Sequence, residues 1–179
     1  MSAAAHWRRR QLTAVGIGAA AVAAGAGWAL WRNRATATED EVPDLWPLGF
    51  DTPDGGRLDM RTLRGRPLLI NFWATWCAPC VREMPALDRF AREVAARGVQ
   101  VLGLAIDQRD AVRQFLDTTP VSYPIALAGF AGIELSRRLG NTAGGLPFTV
   151  LIDRSGRVAQ RHIGELTPEE LRTWSKGIS

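Results

Sequence analysis

A continuous apolar run followed by a helical pattern dominates the centre of the chain. Residues 67–73 are apolar apart from one asparagine, which is typical of a strand buried on both faces of a sheet. Beyond residue 77, apolar or small side chains recur at the spacing of an amphipathic helix, at Cys80, Met84, Leu87, Ala91 and Val94. The pattern therefore predicts a strand that passes directly into a helix.

The same reasoning predicts the remaining elements of an α/β fold. Turn residues at 53–56 predict a short hairpin over residues 45–63. Apolar runs predict further strands over residues 99–106, 124–128, 149–153 and 157–163. Helical spacing predicts further helices over residues 108–116, 131–139 and 167–174. Thr167 and Glu170 stand at the positions of a capping box. This order of elements predicts a mixed central sheet with helices on both faces.

The N-terminal part of the chain has the pattern of a membrane segment. Residues 1–11 carry three consecutive arginines, and the uncharged residues 12–31 are long enough to span a bilayer as a helix. Trp28 and Trp31 stand at the far end of this segment, where interfacial aromatic residues belong, and the three arginines before it favour a cytoplasmic N-terminus. The polar residues 32–44 predict a tether to a domain over residues 45–179. The prediction is a single-pass inner-membrane protein whose domain faces the periplasm.

A cleaved signal peptide is the alternative to this anchor. Residues 9–13 resemble a twin-arginine export signal, and residues 35–37 offer a small-residue cleavage site. The apolar stretch is longer than a usual signal core, which favours the anchor. Cleavage would leave a soluble periplasmic protein, so both alternatives place the domain outside the cytoplasm.

Composition and charge exclude several classes of function. The chain is 46% hydrophobic and 22% charged, as globular domains are. Its net charge of +4 is spread along the chain, so we expect no nucleic-acid partner. Two cysteines in 179 residues do not make a disulfide scaffold. His162 has no second metal-type ligand near it in the sequence, and we expect neither a metal nor a cofactor.

The two cysteines stand at the predicted junction of strand and helix. Cys77 lies at the helix N-terminus, where unpaired backbone N–H groups and the helix dipole stabilise a thiolate. Cys80 lies one turn further on, within reach to close a disulfide. A disulfide that closes so small a loop would constrain the unfolded chain little. The pair is therefore a candidate for redox chemistry.

The residues around the cysteines resemble a known active-site signature. Residues 72–80, Phe-Trp-Ala-Thr-Trp-Cys-Ala-Pro-Cys, are similar to the active site of thioredoxin. Residues 81–85, Val-Arg-Glu-Met-Pro, resemble the TlpA/ResA-type branch, the membrane-tethered thiol–disulfide oxidoreductases of bacteria that face the extracytoplasmic side. The resemblance extends from residue 42 to the C-terminus. It implies a thioredoxin-like fold with an N-terminal hairpin and a central insertion.

The resemblance also implies catalytic roles. Cys77 would attack a substrate disulfide and Cys80 would resolve the mixed disulfide, so the two would form a redox-active disulfide. Glu83 matches a glutamate that the family uses for proton transfer. Where thioredoxin has a buried aspartate, this chain has Asn71, whose amide cannot act as a base. The alternative for Glu83 is a solvated acid in the first helical turn, favoured by the helix dipole.

Substrate-binding residues follow from the same resemblance. Pro147 matches the cis proline that packs against the disulfide in thioredoxin-like folds. Leu146, which precedes it, would pair with substrate through its main chain. Trp76 and Pro147 would shape the docking groove.

The resemblance implies a reductant of protein disulfides. Its substrates would be proteins with cysteine pairs, such as apocytochrome c or copper-site proteins, and its electrons would come from a membrane thiol donor. A disulfide-donating oxidant is one alternative, because the Ala78-Pro79 pair does not decide the direction. A copper-binding assembly factor with the two thiolates as ligands is another. Such proteins typically add a histidine and use wider cysteine spacing, and neither is evident here. A peroxidase on this fold would carry a threonine–cysteine signature, which is missing.

Overall fold

The computed structural model describes residues 42–177 of the chain. The predicted basic N-terminus at 1–11, the membrane or signal segment at 12–31 and most of the tether at 32–44 lie outside these residues. Among residues 42–177, none of the helices has the length and apolar character needed to cross a bilayer.

Within that range, seven strands form one mixed sheet in the order β2-β1-β5-β4-β3-β6-β7. The strands are β1 (Gly49–Asp51), β2 (Arg57–Asp59), β3 (Leu68–Trp73), β4 (Gln100–Ala105), β5 (Ile125–Leu127), β6 (Phe148–Ile152) and β7 (Val158–Ile163). Strands β3, β4 and β5 run parallel, and the other neighbouring pairs are antiparallel. The predicted mixed sheet is confirmed.

Helices cover both faces of this sheet. They are α1 (Ala78–Ala95), α2 (Arg109–Thr118), α3 (Ala131–Arg138) and α4 (Pro168–Lys176), with short 3-10 helices at Pro43–Leu45 and Met60–Leu63. Buried side chains of α1, α2 and α4 form one apolar core, and those of α3 belong to a second. Alternate residues of β3 divide between the two cores, as the pleat of a strand requires. Leu69 and Trp73 face the first core, and Ile70 faces the second.

The predicted N-terminal hairpin is confirmed and lies at one end of the sheet. Strands β1 and β2 flank a turn in which the Thr52 N–H donates to the Gly56 carbonyl over 2.9 Å. Strand β1 then pairs with β5 through Asp51 and Leu127. From α2, the Arg109 guanidinium donates to the Thr52 carbonyl and to Asp51. The hairpin therefore covers an edge of the sheet that β5 would otherwise expose.

The central position of β3 determines where the cysteines lie. All six residues of this strand are buried between β4 and β6. The chain leaves its carboxyl end and enters α1 after four residues, with Cys77 as the N-cap. In α/β sheets the carboxyl ends of parallel strands are where sites form, and the cysteines lie at such an end.

Candidate active site

Cys77 and Cys80 form a disulfide at the start of α1, with their Cα atoms 5.3 Å apart. The Cys80 N–H donates to Cys77 Sγ over 3.3 Å. Cys77 is 5% exposed and Cys80 is fully buried. After reduction, the same N–H and the helix N-terminus would stabilise a thiolate on Cys77. The outer sulfur is therefore the one suited to attack a substrate.

The loop before the cysteines is anchored by a side chain from the neighbouring strand. Asp107, just beyond β4, accepts hydrogen bonds from the Thr75 N–H over 2.9 Å and from the Thr75 hydroxyl over 2.6 Å. Trp76 follows this anchor and is 69% exposed. Asp107 follows the predicted strand over residues 99–106, but the sequence did not predict this contact, because it joins residues 32 positions apart.

The loop that ends at Pro147 provides an unpaired stretch of main chain near the disulfide. The Leu146–Pro147 peptide bond is cis, as the resemblance implied. Asn141 donates to the Gly145 carbonyl over 2.9 Å, and the Pro147 carbonyl accepts from the Gly164 N–H over 2.8 Å. In the described part of the chain, the N–H and C=O of Leu146 make no hydrogen bond. They are free to pair with another chain.

An apolar cavity of about 390 Å³ adjoins the outer cysteine. Its lining residues are Trp76, Cys77, Ala78, Pro79, Ile106, Phe130, Ile133, Ser136, Gly144 and Leu146. Of the expected docking residues, Trp76 and Leu146 line the cavity, whereas Pro147 is buried and does not. Phe130, 73% exposed, was not predicted to take part. We name this cavity the Trp76–Phe130 groove.

Glu83 lies three residues beyond Cys80 on α1 and is only 1% exposed. Its Oε1 accepts from Asn71 Nδ2 and its Oε2 accepts from the Leu166 N–H, each over 2.8 Å. This burial rules out the alternative of a solvated first-turn acid. Burial raises the pKa of Glu83 from 4.5 to about 7, although the hydrogen bonds from Leu166 and Asn71 lower it in part. Near neutral pH the carboxyl group exists in both protonation states.

Asn71 connects this carboxyl group to the strand that follows Pro147. It lies opposite Thr149 in the register of β3 and β6, and its Nδ2 donates to Thr149 Oγ1 over 3.0 Å. Among the described residues, the buried Asn71 Oδ1 has no hydrogen-bond partner. Sequence reasoning placed Asn71 beside the site but missed Thr149 and Leu166, because cross-strand register and loop contacts leave no local pattern.

No group of three or more potential ligands is arranged to hold a metal ion within residues 42–177. His162 lies in β7 opposite Thr149 and is half-buried. What the described site brings together is a disulfide, one buried carboxyl group with a raised pKa and an apolar groove.

A helix that begins at a Cys-x-x-Cys disulfide, on a mixed sheet and beside a cis proline, defines the class of thioredoxin-like thiol–disulfide oxidoreductases. The Redoxin family model matches residues 37–175, so the chain belongs to this family. With its Cys77–Cys80 disulfide, and with relatives named thiol-disulfide oxidoreductases, it is a protein disulfide oxidoreductase.

Named relatives agree with this assignment. The chain is similar to the thiol-disulfide oxidoreductase ResA of Bacillus thuringiensis (strain Al Hakam), with 33% identity over 129 residues, 70% of this chain and 71% of that protein. It is similar to the thiol:disulfide interchange protein DsbE of Vibrio cholerae, with 34% identity over 134 residues, 72% of this chain and 66% of that protein. A thioredoxin-related protein from Neisseria meningitidis serogroup B has a similar structure, with a TM-score of 0.64 and 34% identity over 72% of this chain and 96% of that chain.

Proposed function

We propose that the chain is an extracytoplasmic reductant of protein disulfides that acts through Cys77, Cys80 and Glu83. The observation that carries the proposal is the position of Glu83 three residues beyond Cys80 on α1, fully buried and with a pKa of about 7. Residues three apart lie on one helix face. A buried carboxyl group that exchanges its proton at neutral pH fits the role of proton acceptor for the inner thiol.

The reaction proceeds in two exchanges of sulfur partners. The Cys77 thiolate attacks one sulfur of the substrate disulfide, and the other substrate sulfur leaves as a thiolate. Cys80 then gives its proton to the Glu83 carboxylate and, as a thiolate, attacks Cys77 Sγ. This step closes the Cys77–Cys80 disulfide and releases the second substrate sulfur as a thiolate. Two electrons have passed to the substrate, and Glu83 returns its proton to solvent or to a product thiolate.

The substrate docks as an extended segment across the Trp76–Phe130 groove. The free N–H and C=O groups of Leu146 pair with the main chain of this segment, next to its cysteine. The apolar lining accepts an apolar side chain close to that cysteine. By resemblance to the TlpA/ResA-type group, the substrates are apocytochrome c or copper-site proteins, and a membrane thiol donor restores the dithiol.

The location of the domain is part of the same proposal. The basic residues before the apolar segment 12–31 support a single-pass inner-membrane anchor with the domain in the periplasm. Mass spectrometry of the chain recovered from bacterial membranes and periplasm tests this point. An intact N-terminus in the membrane fraction supports the anchor, and a soluble chain that starts near residue 38 supports the cleaved signal.

The experiment that tests the direction of the reaction is the reduction potential of the Cys77–Cys80 couple in the full-length chain. A value of about −200 mV or lower is expected for a reductant supplied with electrons across the membrane. A value near −120 mV, as in strong oxidants, would reverse the direction and make the protein a disulfide donor. Reduction of insulin by the wild type but not by Cys77→Ser checks that this couple does the chemistry.

A further inference from the structure

Both hydrogen bonds to Glu83 in the structure are donated to its carboxyl oxygens. Asn71 Nδ2 donates to Oε1 and the Leu166 N–H donates to Oε2. This arrangement suits the ionised carboxylate, which only accepts hydrogen bonds. The protonated acid carries one O–H that must itself donate. The groups around a proton acceptor must therefore be able to hydrogen-bond both its ionised and its protonated form.

Of the two partners, only Asn71 can change from donor to acceptor. The Leu166 N–H belongs to the main chain and can only donate. An amide side chain carries a donor group and an acceptor oxygen, which exchange places when the amide plane turns by half a turn. After that rotation Oδ1 would lie where Nδ2 now lies, beside Glu83 Oε1 and Thr149 Oγ1. The Thr149 hydroxyl accepts from Nδ2 in one orientation and can donate to Oδ1 in the other.

The other end of the amide does not hold it in one orientation. In the described structure Asn71 Oδ1 is buried and has no partner. The hydrogen bonds that distinguish the two orientations are therefore those on the side that faces Glu83 and Thr149, and they must outweigh the burial of unpaired amide N–H groups at the other end. An ionised Glu83 favours the donor on that side, and a protonated Glu83 favours the acceptor.

We propose that Asn71 is a positioning residue for Glu83, and that its amide rotates to donate to the carboxylate and to accept from the acid. The proposal rests on the proposed function, in which Glu83 takes the proton of Cys80. It also explains the residue type on β3, since an aspartate there would place a second negative charge against Glu83. An aliphatic side chain at the same position could make a hydrogen bond to neither the carboxylate nor the acid form of Glu83.

Other ionisable groups near Glu83 do not provide this exchange. Glu165, which precedes Leu166, acts only by its charge and raises the pKa of Glu83 slightly; it is paired with Arg82 over 2.8 Å. Tyr123 is buried, and burial together with the charge of Glu83 raises its pKa, so its hydroxyl stays neutral. Cys77 and Cys80 are joined in the disulfide of this structure.

The chain provides an internal control for a direct test. Its asparagines are Asn33, Asn71 and Asn141. Asn141 is also buried, and its Nδ2 donates to Ser136 Oγ and to the Gly145 carbonyl, neither of which is a carboxyl group. Nuclear magnetic resonance of the full-length chain labelled with nitrogen-15 at asparagine therefore compares a side-chain amide that faces an acid with one that does not.

The test follows the contacts of these amide protons between about pH 5 and pH 9, a range centred near the pKa of Glu83. Above the Glu83 transition we expect nuclear Overhauser contacts from the Asn71 amide protons to the Thr149 side chain. Below it these contacts should disappear, with the same midpoint as the carbon-13 titration of the Glu83 carboxyl group. The Asn141 amide contacts should stay unchanged. Asn71 contacts that persist through the Glu83 transition would overturn the proposal.

Variants separate this proposal from the function on which it rests. In Glu83→Gln the pH-dependent change at Asn71 should vanish. In Asn71→Ala both forms of Glu83 lose a hydrogen bond, and the bond to the carboxylate is the stronger of the two, so the pH midpoint for resolution of the mixed disulfide should rise by about half a pH unit. If Glu83→Gln leaves the pH profile of resolution unchanged, the proposed function fails. If Glu83→Gln alters the profile but Asn71→Ala, still folded, does not, only the role of Asn71 fails.

Discussion

The two sulfurs of the disulfide belong to different environments although they are three residues apart. Cys77 borders an apolar groove whose rim includes two exposed aromatic rings, those of Trp76 and Phe130. Cys80 is fully buried on the same helix as the buried Glu83, whose oxygens are held by Asn71 and Leu166. One turn of helix thus separates an open apolar groove from a closed polar cluster.

This difference indicates separate roles for the two sulfurs in the reaction. The outer sulfur must meet many substrate atoms, so an apolar surface that excludes water suits it. The inner sulfur must lose a proton at a defined moment, so a buried acid with a near-neutral pKa suits it.

Exchanging each cysteine for serine should stop turnover at different steps, which makes this exchange the most direct test of the difference between the two sulfurs. Cys77→Ser should abolish disulfide reduction, because the buried Cys80 cannot reach a substrate. Cys80→Ser should also stop turnover but should accumulate a mixed disulfide at Cys77, detectable by mass spectrometry with a cysteine-containing peptide. Accumulation of the mixed disulfide in Cys77→Ser instead would show that the inner sulfur attacks first.

Replacing Glu83 should change the pH dependence of stability. The folded state raises the pKa of Glu83 from 4.5 to about 7, so folded protein holds this proton more tightly than unfolded chain. The contribution of Glu83 to the unfolding free energy is therefore largest below pH 4.5 and falls as the pH rises through about 7. The loss is about 3 kcal/mol for a group this deeply buried.

Denaturant unfolding of the oxidised wild type and of Glu83→Gln measures this effect. The stability of the variant relative to the wild type should increase by about 3 kcal/mol between acidic and mildly alkaline pH, since glutamine does not ionise. A difference that does not vary with pH would mean that Glu83 is not buried as an ionising group. The proposed difference between the surroundings of Cys77 and Cys80 would then have no support on the side of Cys80.

Truncation of the groove aromatics should weaken substrate binding and leave the inner sulfur unaffected. Trp76→Ala and Phe130→Ala should each raise KM for a protein disulfide by about threefold to tenfold, as expected for loss of one aromatic contact of about 1 kcal/mol. The midpoint of the pH profile for resolution should stay the same. Ile163→Ala is the matched control, because Ile163 is also an exposed apolar residue but does not line the groove. A change in the pH profile without a change in KM would contradict the proposal that the groove binds substrate and the buried cluster controls the inner sulfur.

The smallest effect is expected at the ion pair beyond the polar cluster. Arg82 and Glu165 are 60% and 38% exposed, so Glu165→Gln should change the unfolding free energy by less than about 1 kcal/mol. Removal of this charge should lower the pKa of Glu83 slightly, because Glu165 raises it. Carbon-13 titration of the Glu83 carboxyl group measures the shift. A rise in the pKa would mean that Glu165 acts on Glu83 by something other than its charge.

Local patterns were enough to predict most of the fold. The run of residues 67–73 and the helical spacing after residue 77 correspond to β3 and α1, and the capping box of Thr167 and Glu170 is present at α4. The hairpin was readable from its turn residues. These features depend on interactions among residues close together in sequence.

The sequence predicted those site residues that lie within one short motif, and no others of the cluster around Glu83. Cys77, Cys80 and Glu83 lie within seven residues, so their spacing was visible in the sequence. Thr149 lies 78 positions from Asn71, and the N–H of Leu166 lies 83 positions from Glu83. Phe130 reaches the groove only because α3 packs on the far face of the sheet. Such contacts depend on register and packing, which no local pattern encodes.

The N-terminal hairpin has a consequence for the solubility of the protein. Although its apolar side chains pack on the second core, its main-chain pairing with the sheet is a single register pair between Asp51 and Leu127, with the guanidinium of Arg109 across it. If the hairpin detaches, β5 becomes an open edge whose free N–H and C=O groups can pair with another chain. Substitution of Arg109 should therefore promote aggregation while the chemistry at the cysteines stays intact.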